Sequence, residues 1–277
     1  MRGRRLGAGL LALPAAVFLA IGFLVPLARF FALAFRGNGG PFGAFHALAA
    51  SEVYRQVLLS TLLVAVIVTA ATLLLAWPVA YLLTRVKGVR FVLVLYGVLF
   101  PLWISVLVRT FSWMLLLERN GPINRALEAA GLTDRPLALL FNMTGELIGM
   151  VHVLLPYAIL PLYAAMSRID PRLLLASDGL GASLLDTFRH VYFPLSLPGL
   201  FAGATFVFLL SLGFFITPAL LGGAKAMTLS MLIASFVTDR LAWDMAAAAA
   251  LVLLTATLAL LWLFSRLVPL GQQMVLR

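Results

Sequence analysis

The sequence predicts an all-α polytopic membrane protein, a bundle of about six membrane-spanning helices. Three observations predict it. Of the 277 residues, 63% are hydrophobic and only 11% charged, with a mean hydropathy of +1.09; a soluble domain averages about 45–50% apolar and 25% charged. The excess is gathered into runs of about 20 residues or more, the length that crosses a hydrocarbon core of about 30 Å. These runs are apolar on every face, whereas the strands of a membrane barrel alternate apolar with polar residues.

The first span, 10–33, follows the basic flank Arg2, Arg4 and Arg5. Its apolar run exceeds the ~7–15 residues of a signal-peptide core, so an uncleaved span is expected. Spans two and three, 57–83 and 91–116, are joined by a short turn carrying Arg85, Lys87 and Arg90. Span four, 147–166, contains Pro156 and Pro161; span five is opened by Pro198 and runs 198–221; span six covers 246–268. Prolines within spans free backbone carbonyls that neighbouring helices or a cavity must satisfy. Gly199 and Gly203 place two small residues on one face of span five, a pattern that lets helices approach closely. The connections 117–146 and 222–244 hold shorter helical patches at 123–130 and 227–237.

Basic residues orient the chain. Counted over six spans, eleven fall on the side of the N-terminus and eight on the other. The short N-terminal and two–three segments dominate, because short loops govern orientation. Both termini and the stretch between spans four and five are therefore expected in the cytoplasm.

The composition excludes several classes. With no cysteine there is no disulfide or thiolate chemistry. The net charge of +10 is spread over loops flanking spans, which fits membrane topology and not nucleic-acid binding. His46, His152 and His190 cannot converge on one metal in this topology, and Gly222-Gly223-Ala224-Lys225 lacks the spacing of a phosphate-binding loop. No nucleophile–base pair supports an intramembrane enzyme. No Asp or Glu is expected at mid-depth in any span, which argues against an ion-coupled secondary carrier. Arg109, in Val108-Arg109-Thr110-Phe111-Ser112-Trp113, is the ionisable group within a span. It marks a pathway or partner, or snorkels to the outer headgroups.

The stretch from Asp170 to Pro194 is the polar interruption that composition does not explain. Asp170-Pro171 reads as a helix start, with Asp capping free amides and Pro in the first turn. A short helix then carries Leu173, Leu174 and Leu175. Gly179 and Gly181 permit a left-handed turn, and Ser183 with Asp186 reads as a second start, a capping-box variant. That second helix is expected to end before Pro194. The result is a helix–turn–helix hairpin whose leucines lie in the headgroup layer or fill a groove on a soluble partner.

This stretch resembles the cytoplasmic signature loop of permease subunits in ATP-binding cassette importers: Glu-Ala-Ala, three residues, Gly, nine residues, then Ile-x-Leu-Pro. Gly181 stands at the glycine, Val191 at the isoleucine, Phe193 at the leucine and Pro194 at the proline. Ala176 and Ser177 stand at the two alanines, and Leu175 replaces the glutamate. Phe100-Pro101-Leu102-Trp103, the Val108–Trp113 segment, Arg119-Asn120-Gly121-Pro122-Ile123-Asn124 and Thr217-Pro218-Ala219-Leu220-Leu221-Gly222-Gly223 resemble spermidine/putrescine-type permeases of the B type.

The resemblance implies one transmembrane permease domain over 1–277, with a core at about 57–268 and an ATPase-coupling loop at 167–196. It implies a bacterial plasma-membrane system with a second, C-type permease, a cytoplasmic ATPase dimer that holds ATP and Mg, and an outer substrate-binding protein. No cofactor is expected on this chain. The coupling residues implied are Leu173, Leu174, Leu175, Ala176, Ser177, Gly181, Val191 and Pro194. The solute implied is a polyamine or a related small polar molecule, with Trp103, Arg109, Tyr157 and Phe214 as candidate pathway lining. Loss of the glutamate at Leu175 shifts the expected docking from charge towards apolar fit. Polyamines are cations, and Arg109 disfavours them, so an anionic or amino-acid-like solute is the alternative.

Overall fold

The computed structural model describes residues 13–37, 39–223 and 226–275. Arg2, Arg4, Arg5, Lys225 and Arg277, and the first residues of the span expected at 10–33, lie outside the described residues. All regular elements among the described residues are helical. In chain order they are α1 (Leu13–Leu33, with a π-helical turn at Ala20–Leu24), α2 (Gly43–Ala50), α3 (Glu52–Arg85), α4 (Gly88–Trp103), α5 (Val106–Leu117) and α6 (Pro122–Ala129). There follow α7 (Met143–Met166), α8 (Pro171–Gly179), α9 (Leu184–Leu212), a π-helical turn at Pro218–Gly222, α10 (Leu229–Thr238) and α11 (Trp243–Val275). Among the described residues five helices are long and apolar enough to cross a membrane, and a bent pair makes a sixth candidate.

That bent pair corrects the single span expected at 91–116. The axis turns by 102° between α4 and the stretch that begins at Val106. Pro101 has no N–H to give the preceding turn. The helix then closes on a tight bond from the Ile104 N–H to the Pro101 carbonyl, 3.2 Å, with Ile104 and Ser105 extended or nearly so.

Span five also differs from expectation. The hairpin's second helix does not end before Pro194, and Pro198 does not open a new one; α9 runs unbroken from Leu184 to Leu212. The π-helical turn Phe188–Tyr192 explains this, because the Phe193 N–H donates to the Phe188 carbonyl. This longer-reach bond shifts the register and puts Pro194 in the first turn of the following α-helical segment, where a missing N–H is tolerated. The helix stops at Gly213, short of the expected 221.

The contacts divide the chain into two units, one of residues up to 56 with 232–255, the other of 57–231 with the residues from 256 on. In the smaller unit, Ala34 and Ala44 are buried together with Ala247 and Ala248 of α11. Tyr54 and Phe236 meet edge to face with centroids 5.6 Å apart, and the Arg240 guanidinium lies 5.6 Å from the Phe236 ring centre.

The larger unit is built on α7 packed along α9. α7 starts at Met143, earlier than expected, because the Asn142 side chain accepts from the Gly145 N–H at 3.1 Å. The small face of α9 meets α7: a Cβ on Gly199 would lie 2.6 Å from Ala165 Cβ and 2.9 Å from the Pro161 carbonyl oxygen. α3 adds a buried stripe at helical spacing, including Val64, Val68, Ala76 and Ala80, to the same core that holds Leu154 and Ala158 of α7.

Candidate functional site

The hairpin forms by the local rules that its sequence carries. The Asp170 carboxylate accepts from the Arg172 N–H at 2.9 Å and starts α8, with Pro171 in the first turn. Gly181 takes the left-handed conformation at φ +78°, while Gly179 stays within the helix. Ser183 Oγ accepts from the Asp186 N–H at 3.2 Å and donates to the Asp186 carboxylate at 2.6 Å, which starts α9. The hairpin's two arms are then tied by a buried hydroxyl pair, Ser177 Oγ and Thr187 Oγ1, 2.8 Å apart. Ser177, at one of the signature alanines, is therefore a clasp.

The three leucines do not act alike. Leu173 and Leu175 are exposed, whereas Leu174 turns inward and packs against the core. Leu180, Leu184 and Leu185 are also bare, at 88%, 87% and 60% exposure. The outward apolar surface is thus broader than the leucine triplet, and it spans the Gly181 turn. Ala176 is exposed, Val191 and Pro194 are partly buried. Beneath the hairpin is a cavity of about 390 Å³ lined by Tyr81, Arg85, Leu174, Asp178, Phe188 and Tyr192 among others.

An aromatic cluster joins this hairpin to α3. Trp77 stacks on Tyr81 at 5.6 Å and stands edge-on to Phe188 at 5.1 Å. Tyr81 meets Tyr192 edge-on at 5.2 Å, and the Arg85 guanidinium lies 5.0 Å from the Tyr81 ring centre. The tie was missed in the sequence. Its visible signal is the spacing of Trp77, Tyr81 and Arg85, which puts all three on one helix face.

The candidate pathway residues separate. Arg109 is buried in α5, whereas Tyr157 of α7 is 40% exposed. Trp103 ends α4, is 69% exposed and touches Tyr96 at 6.0 Å. Phe214 packs against the apolar core. Trp113, one turn beyond Arg109 on α5, and His152 of α7 are not in the expected set; their rings lie 5.5 Å apart. Thr110, next after Arg109 on α5, meets Thr217 with hydroxyl oxygens 3.1 Å apart.

Glu146 is the last residue of the connection expected at 117–146. It sits in the first turn of α7, fully buried, with no hydrogen-bond donor to either carboxylate oxygen among the described residues. A Cβ on Gly222 would lie 3.0 Å from its Oε2. In the 117–146 connection, Asn124 is a buried clip. Its amide donates to the Glu118 and Leu137 carbonyls at 3.2 and 3.0 Å and accepts from the Leu137 N–H at 2.9 Å.

Comparison with known proteins matches these features. The family described as binding-protein-dependent transport system inner membrane component matches residues 89–270. The chain is 34% identical over 218 residues to the spermidine/putrescine transport system permease protein PotB of Escherichia coli (strain K12), covering 78% of this chain and 79% of the relative. It is 37% identical over 179 residues to the inner membrane ABC transporter permease protein YdcU of the same organism, covering 60% and 57%. Among solved structures it resembles a chain of the bacterial alginate ABC transporter in complex with an alginate pentasaccharide-bound periplasmic protein. That likeness has TM-score 0.78 at 18% identity over 98% of this chain and 96% of that one. A chain of the MetNI methionine ABC transporter gives TM-score 0.59 at 19% identity over 80% and 99%. At these identities the solved structures speak to the fold.

Proposed function

We propose a function on one premise: the chain belongs to the family of binding-protein-dependent transport system inner membrane components. It is a membrane-spanning permease subunit of an ATP-binding cassette importer. It works beside a second, C-type permease, an outer substrate-binding protein and two copies of a cytoplasmic ATPase, which carry ATP and Mg. It sits in the bacterial plasma membrane with both termini in the cytoplasm. Residues 57–268 are its core and 167–196 its coupling loop. The names of its relatives support a polyamine or a related small polar solute.

The observation that carries this reading is the hairpin. Its arms are held by the Ser177–Thr187 bond and two side-chain caps, so it can move as one body. It presents Leu173, Leu175, Leu180, Leu184 and Leu185 uncovered. In the proposed mechanism these leucines fill a cleft of the ATPase by apolar contact, with Leu174, Ala176, Gly181, Val191 and Pro194 setting the shape. Closure of the ATPase dimer shifts the hairpin, and the permease changes state because the two states differ in contact free energy. Trp103, Arg109, Tyr157 and Phe214 are assigned to the pathway side.

The test is Gly181→Val in the importer assembled from both permeases, ATPase and binding protein. Gly181 has open space around it but a left-handed φ that a β-branched residue resists. The variant is expected to insert in the membrane yet lose ATPase co-purification and ATP-driven uptake, while Gly179→Ala retains both. Wild-type uptake by Gly181→Val, or uptake with no ATPase present, overturns the coupling assignment.

A further inference from the structure

Arg109 raises a question that the importer reading leaves open. Its side chain is 9% exposed, and its Nε and Nη1 are buried with no acceptor among the described residues. The facing His152 has a buried Nδ1 in the same condition. A guanidinium is always charged and only donates. Burying one without a partner is costly, so such groups are paired, hydrogen-bonded or functional. The acids of this chain do not answer it. Among the described residues the one ion pair is Arg55 with Glu52, and Glu146 has neither oxygen bonded.

The surroundings are polar and aromatic. Arg109 and Trp113 are one turn apart on the same face of α5, the face that meets His152. Tyr157, five residues beyond His152 on α7, is 40% exposed. Three buried nitrogens that lack partners therefore converge between α5 and α7, beside aromatic rings. An ammonium would meet a fixed positive charge here. An anionic oxygen group would meet charge-assisted donors, and carboxylates and phosphates are what guanidinium recognises best.

We propose that Arg109, His152 and Trp113 form a site for an anionic oxygen group, of the carboxylate or phosphonate class, carried by the transported solute. Tyr157 is the exposed position beyond His152 on the same helix. The solute class that fits is small and polar with one acidic end. An amino group at its other end would keep it chemically close to a polyamine. This inference rests on the importer reading and narrows its substrate.

The chain has no cysteine, so Tyr157→Cys gives a single reporter on this chain. The second permease is used with its own cysteines replaced. Modification of this thiol by a water-soluble methanethiosulfonate is followed in membranes holding both permeases and the ATPase. The probes are 4-aminobutanoate, 2-aminoethylphosphonate and putrescine; the first and last share a four-carbon spacing and differ in one charged end. The acidic probes are expected to slow modification and putrescine is not. In Arg109→Gln the probe concentration needed rises at least about tenfold, the effect of one charge-assisted hydrogen bond. Arg109→Lys keeps part of the protection. Equal protection by putrescine, or none by the acidic probes with Arg109 intact, overturns the site. So does loss of permease pairing in Arg109→Gln without any anion protection, which assigns the anion to the second permease. ATP-driven uptake is measured separately, so failure of the importer reading is distinguished from failure of this site.

Discussion

The indole of Trp77 stands edge-on to the ring of Phe188, centroids 5.1 Å apart at 83°. Phe188 opens the π-helical turn that leads out of the hairpin, and Trp77 lies deep in α3. The contact therefore ties the hairpin's outgoing arm to a different membrane span. Aromatic pairs add about 0.5–1.5 kcal/mol each beyond their buried area, and Trp77 makes three such contacts. Trp77→Ala is expected to destabilise the permease by about 3 kcal/mol. It should also lower solute transported per ATP hydrolysed, because the hairpin would move without carrying α3. Trp77→Phe should restore most of that ratio. An unchanged ratio in Trp77→Ala proteoliposomes, alongside a lowered melting temperature, would show the cluster to be packing alone.

The buried Ser177–Thr187 bond makes a prediction about non-additivity. Ser177→Ala leaves the Thr187 hydroxyl buried without its partner, at a cost of about 1–3 kcal/mol. Thr187→Val does the reverse to Ser177. The double variant removes both polar groups and keeps the volume, so it should lose less than the sum of the singles, by about 1 kcal/mol or more. Thermal melting of the four purified proteins in one detergent completes the cycle. Strict additivity would mean that the two hydroxyls do not rely on each other.

How much of this was legible in the sequence depends on the range of the interaction. The hairpin was readable because Asp170, Ser183 and Gly181 act on backbone groups within a few residues. The spans were readable because lipid imposes length and hydropathy on each run separately. The 102° bend after Trp103 was not, although Pro101 marked the place. A proline in a membrane helix allows a kink, and the packing around it decides the angle. The π-helical turn at Phe188–Tyr192 was hidden for a related reason: it carries the helix through Pro194, which by local rules reads as a stop. The burial of Glu146 and the meeting of Trp113 with His152 are tertiary facts. Nothing in the spacing of residues so far apart along the chain announces them.

The approach of α9 to α7 yields the most direct stability prediction. A Cβ at Gly199 would come within 2.6 Å of Ala165 Cβ, 2.9 Å of the Pro161 carbonyl oxygen and 3.0 Å of Leu162 Cα. Two of these three are backbone atoms, which cannot swing aside, and the Pro161 N lacks a proton, so α7 gains no compensating bond by moving. Gly199→Val must push the two helices apart and uncover the packing around Ala158 and Leu162. Overpacking of this kind costs about 1–3 kcal/mol or more. At Gly213 the same added carbon meets nothing within 4 Å, so Gly213→Ala should be close to neutral. Both changes are small, apolar and within membrane-facing sequence, so hydropathy alone predicts the same outcome for each. Melting of the two variants separates the explanations. A Gly199→Val protein as stable as Gly213→Ala would show that α7 and α9 are not in backbone contact.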